Sequence, residues 1–264
     1  MKQRIISAFF GVIVFIAVLL CNETVFNVAL VLIMGIAIFE ITNAVGLKNH
    51  KLMTAASLLY PVIVVFFNDL TEKFALLVYL LILLIIMLFD RKKYSFVDAC
   101  MFFTSTVLVS HTFVYTSFVR EMEYGVLNLL IIFIGCWITD TCAYFTGVFI
   151  GKHKLAPIIS PKKTIEGSIG GIVGVSVILA TYTFIASNIM GIDGNVARAA
   201  VIGVICGVIS QFGDLCASII KREHNIKDFG NLMPGHGGVM DRFDSMIFVA
   251  PVVYYFIINF PIFG

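Results

Sequence analysis

Residues Gln211 to Ser245 read QFGDLCASIIKREHNIKDFGNLMPGHGGVMDRFDS, the densest cluster of charged, glycine and histidine residues in the chain. The stretch begins inside one very apolar segment and ends inside the next. Polar residues are scarce elsewhere and costly within a membrane. Their crowding here indicates a polar loop between two membrane helices, and it marks that loop as the first place to look for a functional site.

The composition is that of an integral membrane protein. The chain has 264 residues, of which 60% are hydrophobic and 13% charged, with a mean hydropathy of +1.02. Each crossing needs about 20 apolar residues, so we predict a single transmembrane domain, 1–264, with no large soluble part. Nothing in the sequence suggests a nucleic-acid partner. The six cysteines include no CxxC pair, which favours buried small side chains over metal ligands.

Hydropathy predicts an all-α, polytopic protein with about nine transmembrane helices, because backbone polar groups in lipid must be paired within each segment. The predicted spans are 5–21, 25–42, 52–68, 73–89, 99–119, 125–150, 164–190, 198–220 and 243–262. We interpret the first as an uncleaved helix, since Cys21-Asn22-Glu23 does not resemble a signal-peptide cleavage site.

Lysine and arginine are distributed unevenly between the two sides that these spans define. With the N-terminus inside, one side carries 15 of the 18 basic residues, and the other carries Lys73, Arg120 and Arg198. Cytoplasmic loops are enriched in Lys and Arg, so we predict a cytoplasmic N-terminus and a C-terminus outside. The two longest polar loops, 151–163 and 221–242, then both face the cytoplasm.

The two halves of the chain differ in polarity. Residues 1–120 are predicted to be mainly scaffold and lipid-facing helices, and residues 125–262 to carry the catalytic site. Glu40 is an exception in the first half, since it could face water or a polar neighbour. His111 is interpreted as hydrogen-bonded packing. In the second half, Asp140 lies mid-span, where a carboxylate faces either a cavity or a hydrogen-bonding helix.

Three acids in the opening stretch indicate a metal site. Asp214 lies roughly 9 Å below the cytoplasmic end of its helix, at 1.5 Å per residue. Asp241 and Asp244 are three residues apart and are predicted to share one helix face. Three such carboxylates repel one another unless a cation lies between them, and oxygen ligands favour Mg²⁺ or Mn²⁺ over zinc.

The surrounding residues favour phosphoryl or nucleotidyl transfer. Lysines and arginines lie close in sequence to the acids, and carboxylates with a metal and cations are typical of that chemistry. The glycines at 235, 237 and 238 are typical of a loop that approaches a phosphate closely. His236 could contact a phosphate, transfer a proton, or be a satisfied loop histidine.

The loop before span seven contains a second basic pair. Ser160-Pro161 is predicted to be the N-cap and first helical residue, which places Lys162 and Lys163 in the first turn. Cations oppose the helix dipole there, so a bound phosphate would explain them. Simple positive-inside charge is the alternative. Within span seven, the glycine pairs 167/171 and 170/174 predict close helix packing.

The charged stretch resembles the signature of the phosphatidate cytidylyltransferase (CDP-diacylglycerol synthase) family. The similarity runs without gaps through SIIKREHNIKDFGNLMPGHGGVMDRFD at 218–244, and it extends to Thr139-Asp140, Gly213-Asp214 and SPKKTIEG at 160–167. It covers the C-terminal half, whereas the N-terminal half is similar only as a set of apolar spans.

The resemblance implies that CTP and phosphatidic acid give CDP-diacylglycerol and pyrophosphate. It also implies a divalent metal, a second ion such as K⁺ and a homodimer in contact with membrane lipid. The expected catalytic residues are Asp214, Asp241, Asp244, Lys221, Arg222 and Arg242, with the three acids as metal ligands. The expected substrate-binding residues are Lys162, Lys163, Ser160, Thr164, Lys227, Asp228, His236, Gly237, Gly238 and Asp140. The compact length favours a bacterial inner membrane.

Two other functions remain open from the sequence. A CTP-dependent lipid kinase of the polyprenol type would use related chemistry at a different phosphorus. An ion-coupled transporter would place Asp140 and Asp214 along its pathway, but transport predicts polar residues in both halves. The GxxxDxxxD spacing of CDP-alcohol phosphotransferases does not fit Gly238, Asp241 and Asp244.

Overall fold

The structure is a computed structural model that describes residues 2–67, 69–233, 235 and 237–264, and their side chains except at 2–10, 69 and 70. The described elements are α1 (Lys2–Leu20), α2 (Glu23–Ala44), α3 (Lys51–Phe66), α4 (Asp69–Phe89), α5 (Phe96–Glu121), α6 (Gly125–Ile150), β1 (Lys154–Ala156), β2 (Ser160–Thr164), α7 (Ile165–Met190), α8 (Val196–Glu223), α9 (Met240–Phe243) and α10 (Met246–Asn259). The chain forms two compact units. The first unit comprises Met1–Ser117 and Glu223–Phe243, and the second comprises Phe118–Arg222 and Asp244–Gly264.

Six helices in the described part of the chain are long and apolar enough to cross a membrane. They are Glu23–Ala44, Thr71–Phe89, Phe96–Glu121, Gly125–Ile150, Ile165–Met190 and Val196–Glu223. Gly11–Leu20 and Lys51–Phe66 are shorter apolar helices, and α10 has 14 residues. Each predicted span falls on a helix, and the prediction of an all-α membrane protein is confirmed at that level. The number of nine crossings stays a prediction.

Buried hydroxyl groups link α3, α4 and α5 in the first unit. The Tyr79 hydroxyl lies 2.7 Å from Ser57 Oγ and donates to Thr106 Oγ1 at 2.9 Å. Nearby, His111 Nε2 lies 2.8 Å from the Tyr60 hydroxyl, and His111 Nδ1 lies 2.9 Å from Glu72 Oε1. The interpretation of His111 as hydrogen-bonded packing agrees with these contacts.

Glycines allow close packing of α6, α7 and α8 in the second unit. A Cβ added at Gly167 would lie 2.7 Å from the Ala143 carbonyl oxygen, and one at Gly171 would lie 3.0 Å from that of Thr139. On α8, a Cβ at Gly203 would lie 2.6 Å from Ser176 Cα. The predicted small-residue packing of span seven therefore occurs, with α6 as the partner helix.

The hydropathy bounds of span seven agree with α7, but the predicted N-cap at Ser160 is wrong. Ser160, Lys162 and Lys163 belong to β2, which pairs antiparallel with β1. The N-cap lies four residues later, at Thr164, whose Oγ1 accepts the N–H of Gly167 at 3.1 Å. Glu166, rather than a lysine, occupies the first turn, and an anion there suits the helix dipole.

Candidate active site

An ion pair between Lys163 and Asp214 joins the hairpin to α8 in the second unit. About a quarter of each side chain is exposed, 24% for Lys163 and 25% for Asp214. Asp214 lies within the last three turns of α8, while Lys163 projects from β2. The structure thus brings a predicted substrate-binding lysine against a predicted metal ligand.

Asp244 is a second, more deeply buried acid of the same unit. The exposed fraction is 7% for Asp244 and 8% for Lys221, and Asp244 Oδ2 lies 3.9 Å from Lys221 Nζ. Asp244 Oδ1 accepts the N–H of Ser245 at 2.8 Å. A buried carboxylate is stable only when it is paired or hydrogen-bonded, and Asp244 is both.

The predicted single helix face for Asp241 and Asp244 is also wrong. Asp241 is in α9, and the helical run stops at Phe243, so that Asp244 and Ser245 form a turn before α10 begins. The bond from the Ser245 N–H to the Asp244 side chain supplies a local alternative to a helical hydrogen bond, as Asp often does.

Close packing explains how Asp214 and Asp244 come together. A Cβ added at Gly213 would lie 3.1 Å from Ser245 Cα and 3.2 Å from the Asp244 carbonyl oxygen, so α8 and the turn before α10 are in direct contact. Asp214 and Asp140 are both near enough to repel the charge of Asp244, and Lys221 partly offsets this repulsion. Asp140 is exposed along α6.

Two further basic residues that were predicted for the site, Arg222 and Lys162, lie at the hairpin. Arg222 Nε donates to the carbonyl oxygen of Ile159 at 3.4 Å, which ties the end of α8 to the hairpin turn. Lys162 is exposed and Ser160 is half-buried. Thr164 is buried, and its hydroxyl caps α7, so the structure gives it a structural role.

In the first unit, Asp241 organises the loop that precedes it. We define the signature loop as residues 228–241, of which 228–233, 235 and 237–241 are described. Asp241 Oδ2 accepts the N–H of Phe229 at 2.8 Å and that of Gly238 at 3.0 Å. The side chain of Asp241 therefore holds the two ends of the loop together.

Other residues predicted for the site lie in or beside this loop and are more exposed than Asp241. Lys227, Asp228 and Arg242 are exposed, and Gly237 has a φ of +88°, which favours glycine. The His236 prediction lies outside the described residues.

Glu40 is a functional candidate that the sequence only partly signalled. It is 6% exposed, and its carboxylate accepts the N–H groups of Val239 and Met240 at 3.1 and 2.8 Å. Its position in an otherwise apolar helix was the available signal. Its partners, about 200 positions away, could not be read from the sequence.

The carboxylates of Asp214 and Asp244 fit a divalent metal ion that binds together with a nucleotide. Among the residues that the structure describes, no group of three or more His, Cys, Asp or Glu could hold a metal alone. Mg²⁺, however, commonly takes one or two carboxylates and completes its shell with water and substrate phosphates. Asp214 and Asp244 supply two carboxylates near each other, and oxygen ligands suit Mg²⁺ or Mn²⁺.

Comparison with known proteins gives matches along nearly the whole chain. The sequence model of the Cytidylyltransferase family matches residues 2–260. A phosphatidate cytidylyltransferase of Staphylococcus saprophyticus is 35% identical over 262 residues, covering 96% of this chain and 97% of that protein. One from Bacillus subtilis is 32% identical over 269 residues, covering 98% of each chain, and one from Staphylococcus aureus is 33% identical over 260 residues, covering 96% and 97%.

Proposed function

The chain belongs to the cytidylyltransferase family, and from that premise we propose how it transfers the cytidylyl group of CTP to phosphatidic acid, giving CDP-diacylglycerol and pyrophosphate. An oxygen of the lipid phosphate attacks the α-phosphorus of CTP. The bond from that phosphorus to the oxygen shared with the β-phosphate breaks, and pyrophosphate leaves with the electron pair. The lipid phosphate is already an anion, so no protein nucleophile is needed.

The observation that carries this mechanism is the pairing of two acids with two lysines in the second unit. Lys163 contacts Asp214, and Lys221 lies beside Asp244. When a substrate binds, each lysine can leave its carboxylate partner and pair with a phosphate oxygen of CTP or of phosphatidic acid. The electrostatic cost is small because one anion replaces another. Lys162 and Arg222, on and beside the hairpin, would neutralise further phosphate charge. From the family resemblance we also propose Lys227 and Arg242 as phosphate-binding residues.

Asp214 and Asp244 would bind Mg²⁺ or Mn²⁺, and we propose Asp241 as the third ligand from the family resemblance alone. When bound, the metal would stabilise charge on the pyrophosphate leaving group. Asp140 is near enough to Asp244 to influence the same ion or a second, monovalent ion such as K⁺. Asp228, His236, Gly237 and Gly238 are proposed to contact the nucleotide.

Two contacts in the second unit support the proposed membrane orientation. Arg222 reaches Ile159, so the end of α8 and the loop before α7 lie at one end of the helices. At the other end, Gly194 forms a β-bridge with Phe263, so the α7–α8 loop and the C-terminus lie together. The two contacts support opposite sides for these two groups of loops. We propose nine crossings, with a cytoplasmic N-terminus and active site and a C-terminus outside. We further propose a homodimer in a bacterial inner membrane, from the family resemblance.

The test uses purified protein in detergent with Mg²⁺, phosphatidic acid and CTP labelled at either the α- or the γ-phosphate. We expect α-label in the lipid fraction and release of pyrophosphate. Transfer of γ-label alone would support the lipid-kinase alternative. If neither label enters lipid, and a solute crosses the membrane of vesicles that contain the reconstituted protein, the transporter alternative is supported.

A further inference from the structure

We propose that Glu40 on α2 is a positioning residue for cytidylyl transfer, because it fixes the backbone of the signature loop that carries Asp241. The inference rests on the proposed function. Glu40 and the described part of the loop belong to the same unit. Glu40 lies far from the loop in sequence, and its carboxylate accepts hydrogen bonds from the loop backbone, so its role would be exerted through the loop.

The contact is bidentate and buried. Glu40 Oε1 accepts the Val239 N–H at 3.1 Å, and Oε2 accepts the Met240 N–H at 2.8 Å. These two amides precede and begin α9, where helical N–H groups have no partner within the helix. Glu40 thus satisfies them from another helix, and it sets the point at which the loop enters α9.

The loop backbone also packs directly on the Glu40 side chain. A Cβ added at Gly230 or at Gly238 would lie 2.5 Å from Glu40 Cδ, and in both cases the three nearest atoms all belong to Glu40. Both glycines have φ outside the left-handed region. Their small size, rather than their flexibility, therefore matters at this contact.

Asp241 makes the complementary contact from inside the loop. It accepts the N–H groups of Phe229 and Gly238, while Glu40 accepts those of the two residues that follow Gly238. Three successive amides, 238–240, are therefore held by two carboxylates. A change at Glu40 should shift the orientation of Asp241, because both carboxylates bind the same short segment.

The first test measures amide hydrogen exchange of the purified protein in detergent micelles, which does not depend on activity. In Glu40→Gln, one carboxylate oxygen becomes an amide group that cannot accept a hydrogen bond. We expect exchange of the amide that loses its acceptor, Val239 or Met240, to accelerate by about tenfold or more, the factor for one lost charge-assisted bond. Glu23→Gln, on the exposed first turn of the same helix, is the matched control and should match wild type.

The second test measures how activity depends on Mg²⁺. A variant that merely unfolds part of the sample lowers the rate without changing the half-saturating Mg²⁺ concentration. If Glu40 positions Asp241, Glu40→Gln should raise that concentration severalfold and lower kcat, while KM for phosphatidic acid changes little.

The third test is a double-mutant cycle. Gly238→Ala should slow turnover because its Cβ meets Glu40, and the same change should cost much less in a Glu40→Ala background. Gly35→Ala on α2 is the control, because its Cβ would lie at an ordinary 3.5 Å from Leu58. If the turnover of the double variant equals the product of the two single-variant effects, the two sites are independent and the inference is overturned.

The outcomes separate this inference from the proposed function. If wild-type protein transfers no α-label, the proposed function fails, and with it the catalytic role of Glu40. If wild type is active but Glu40→Gln leaves exchange, or the Mg²⁺ dependence, unchanged, the positioning role is overturned while the proposed function stands.

Discussion

Lys163 on β2 and Asp214 on α8 form an ion pair that connects the hairpin before α7 to the helix that follows it. We predict that Lys163→Gln lowers the initial rate of α-label transfer by about tenfold, and Asp214→Asn by about a hundredfold or more. Since the two side chains interact, the double variant should be less impaired than the product of the two effects. If the loss of rate in the double variant equals the product of the two single losses, Lys163 and Asp214 act independently.

Asp244→Asn should reduce label transfer to about 1% or less of the wild-type rate, because the substitution keeps the shape of the side chain and removes its charge. Asp244→Ala should in addition destabilise the protein, since it removes the carboxylate beside the buried Lys221 and leaves a cavity. Asp193→Asn, in the exposed α7–α8 loop, is the control. Near-normal rates in Asp244→Asn would remove this residue from the metal site.

Thr164 caps α7, and we predict that this cap contributes to stability. Thr164→Ala removes the acceptor for the Gly167 N–H and should lower the free energy of unfolding by about 1 kcal/mol. Thr164→Ser keeps the hydroxyl and should lose much less. Thermal unfolding in detergent measures both, and an equal loss in the two variants would contradict the assigned role of the cap.

Close packing of α8 against α7 predicts a large effect from a single methyl group. Gly203→Ala would place a Cβ 2.6 Å from Ser176 Cα, where backbone must move, and should cost about 1–3 kcal/mol. Gly11→Ala in α1 has open space and should be neutral or slightly stabilising. Similar melting temperatures for the two variants would contradict this packing.

The orientation in the membrane can be tested with single cysteines in a cysteine-free background. A cysteine at position 154, in the hairpin, should react with an impermeant maleimide only from the cytoplasmic side. A cysteine at position 193 should react only from the opposite side. Labelling of both positions from one side would contradict the proposed crossings of α7 and α8.

Much of the second-unit site could be predicted from sequence because helix periodicity and the charged signature constrain it. Asp214, Asp244 and Lys221 lie near helix ends that hydropathy locates, and the structure brings them together. Lys163 was predicted as a substrate-binding residue, but its pairing with Asp214 was not, since it depends on a hairpin that the sequence did not reveal.

The errors come from backbone hydrogen bonds that local sequence does not specify. Ser160-Pro161 is compatible with a helix start, and only pairing of β2 with β1 makes it a strand. The turn at Asp244 depends on a bond from the Ser245 N–H to the Asp244 side chain, which competes with the helix. Glu40 finds its partners about 200 residues away, and periodicity carries no information at that range.

The last residue of the sequence exchanges two backbone hydrogen bonds with Asp193, each amide donating to the other's carbonyl at 2.9 to 3.0 Å. Asn195 and Arg198 also donate to the carbonyl oxygens of Ile262 and Pro261. A purification tag fused directly to Gly264 would disturb these hydrogen bonds, whereas a flexible spacer between Gly264 and the tag would preserve them.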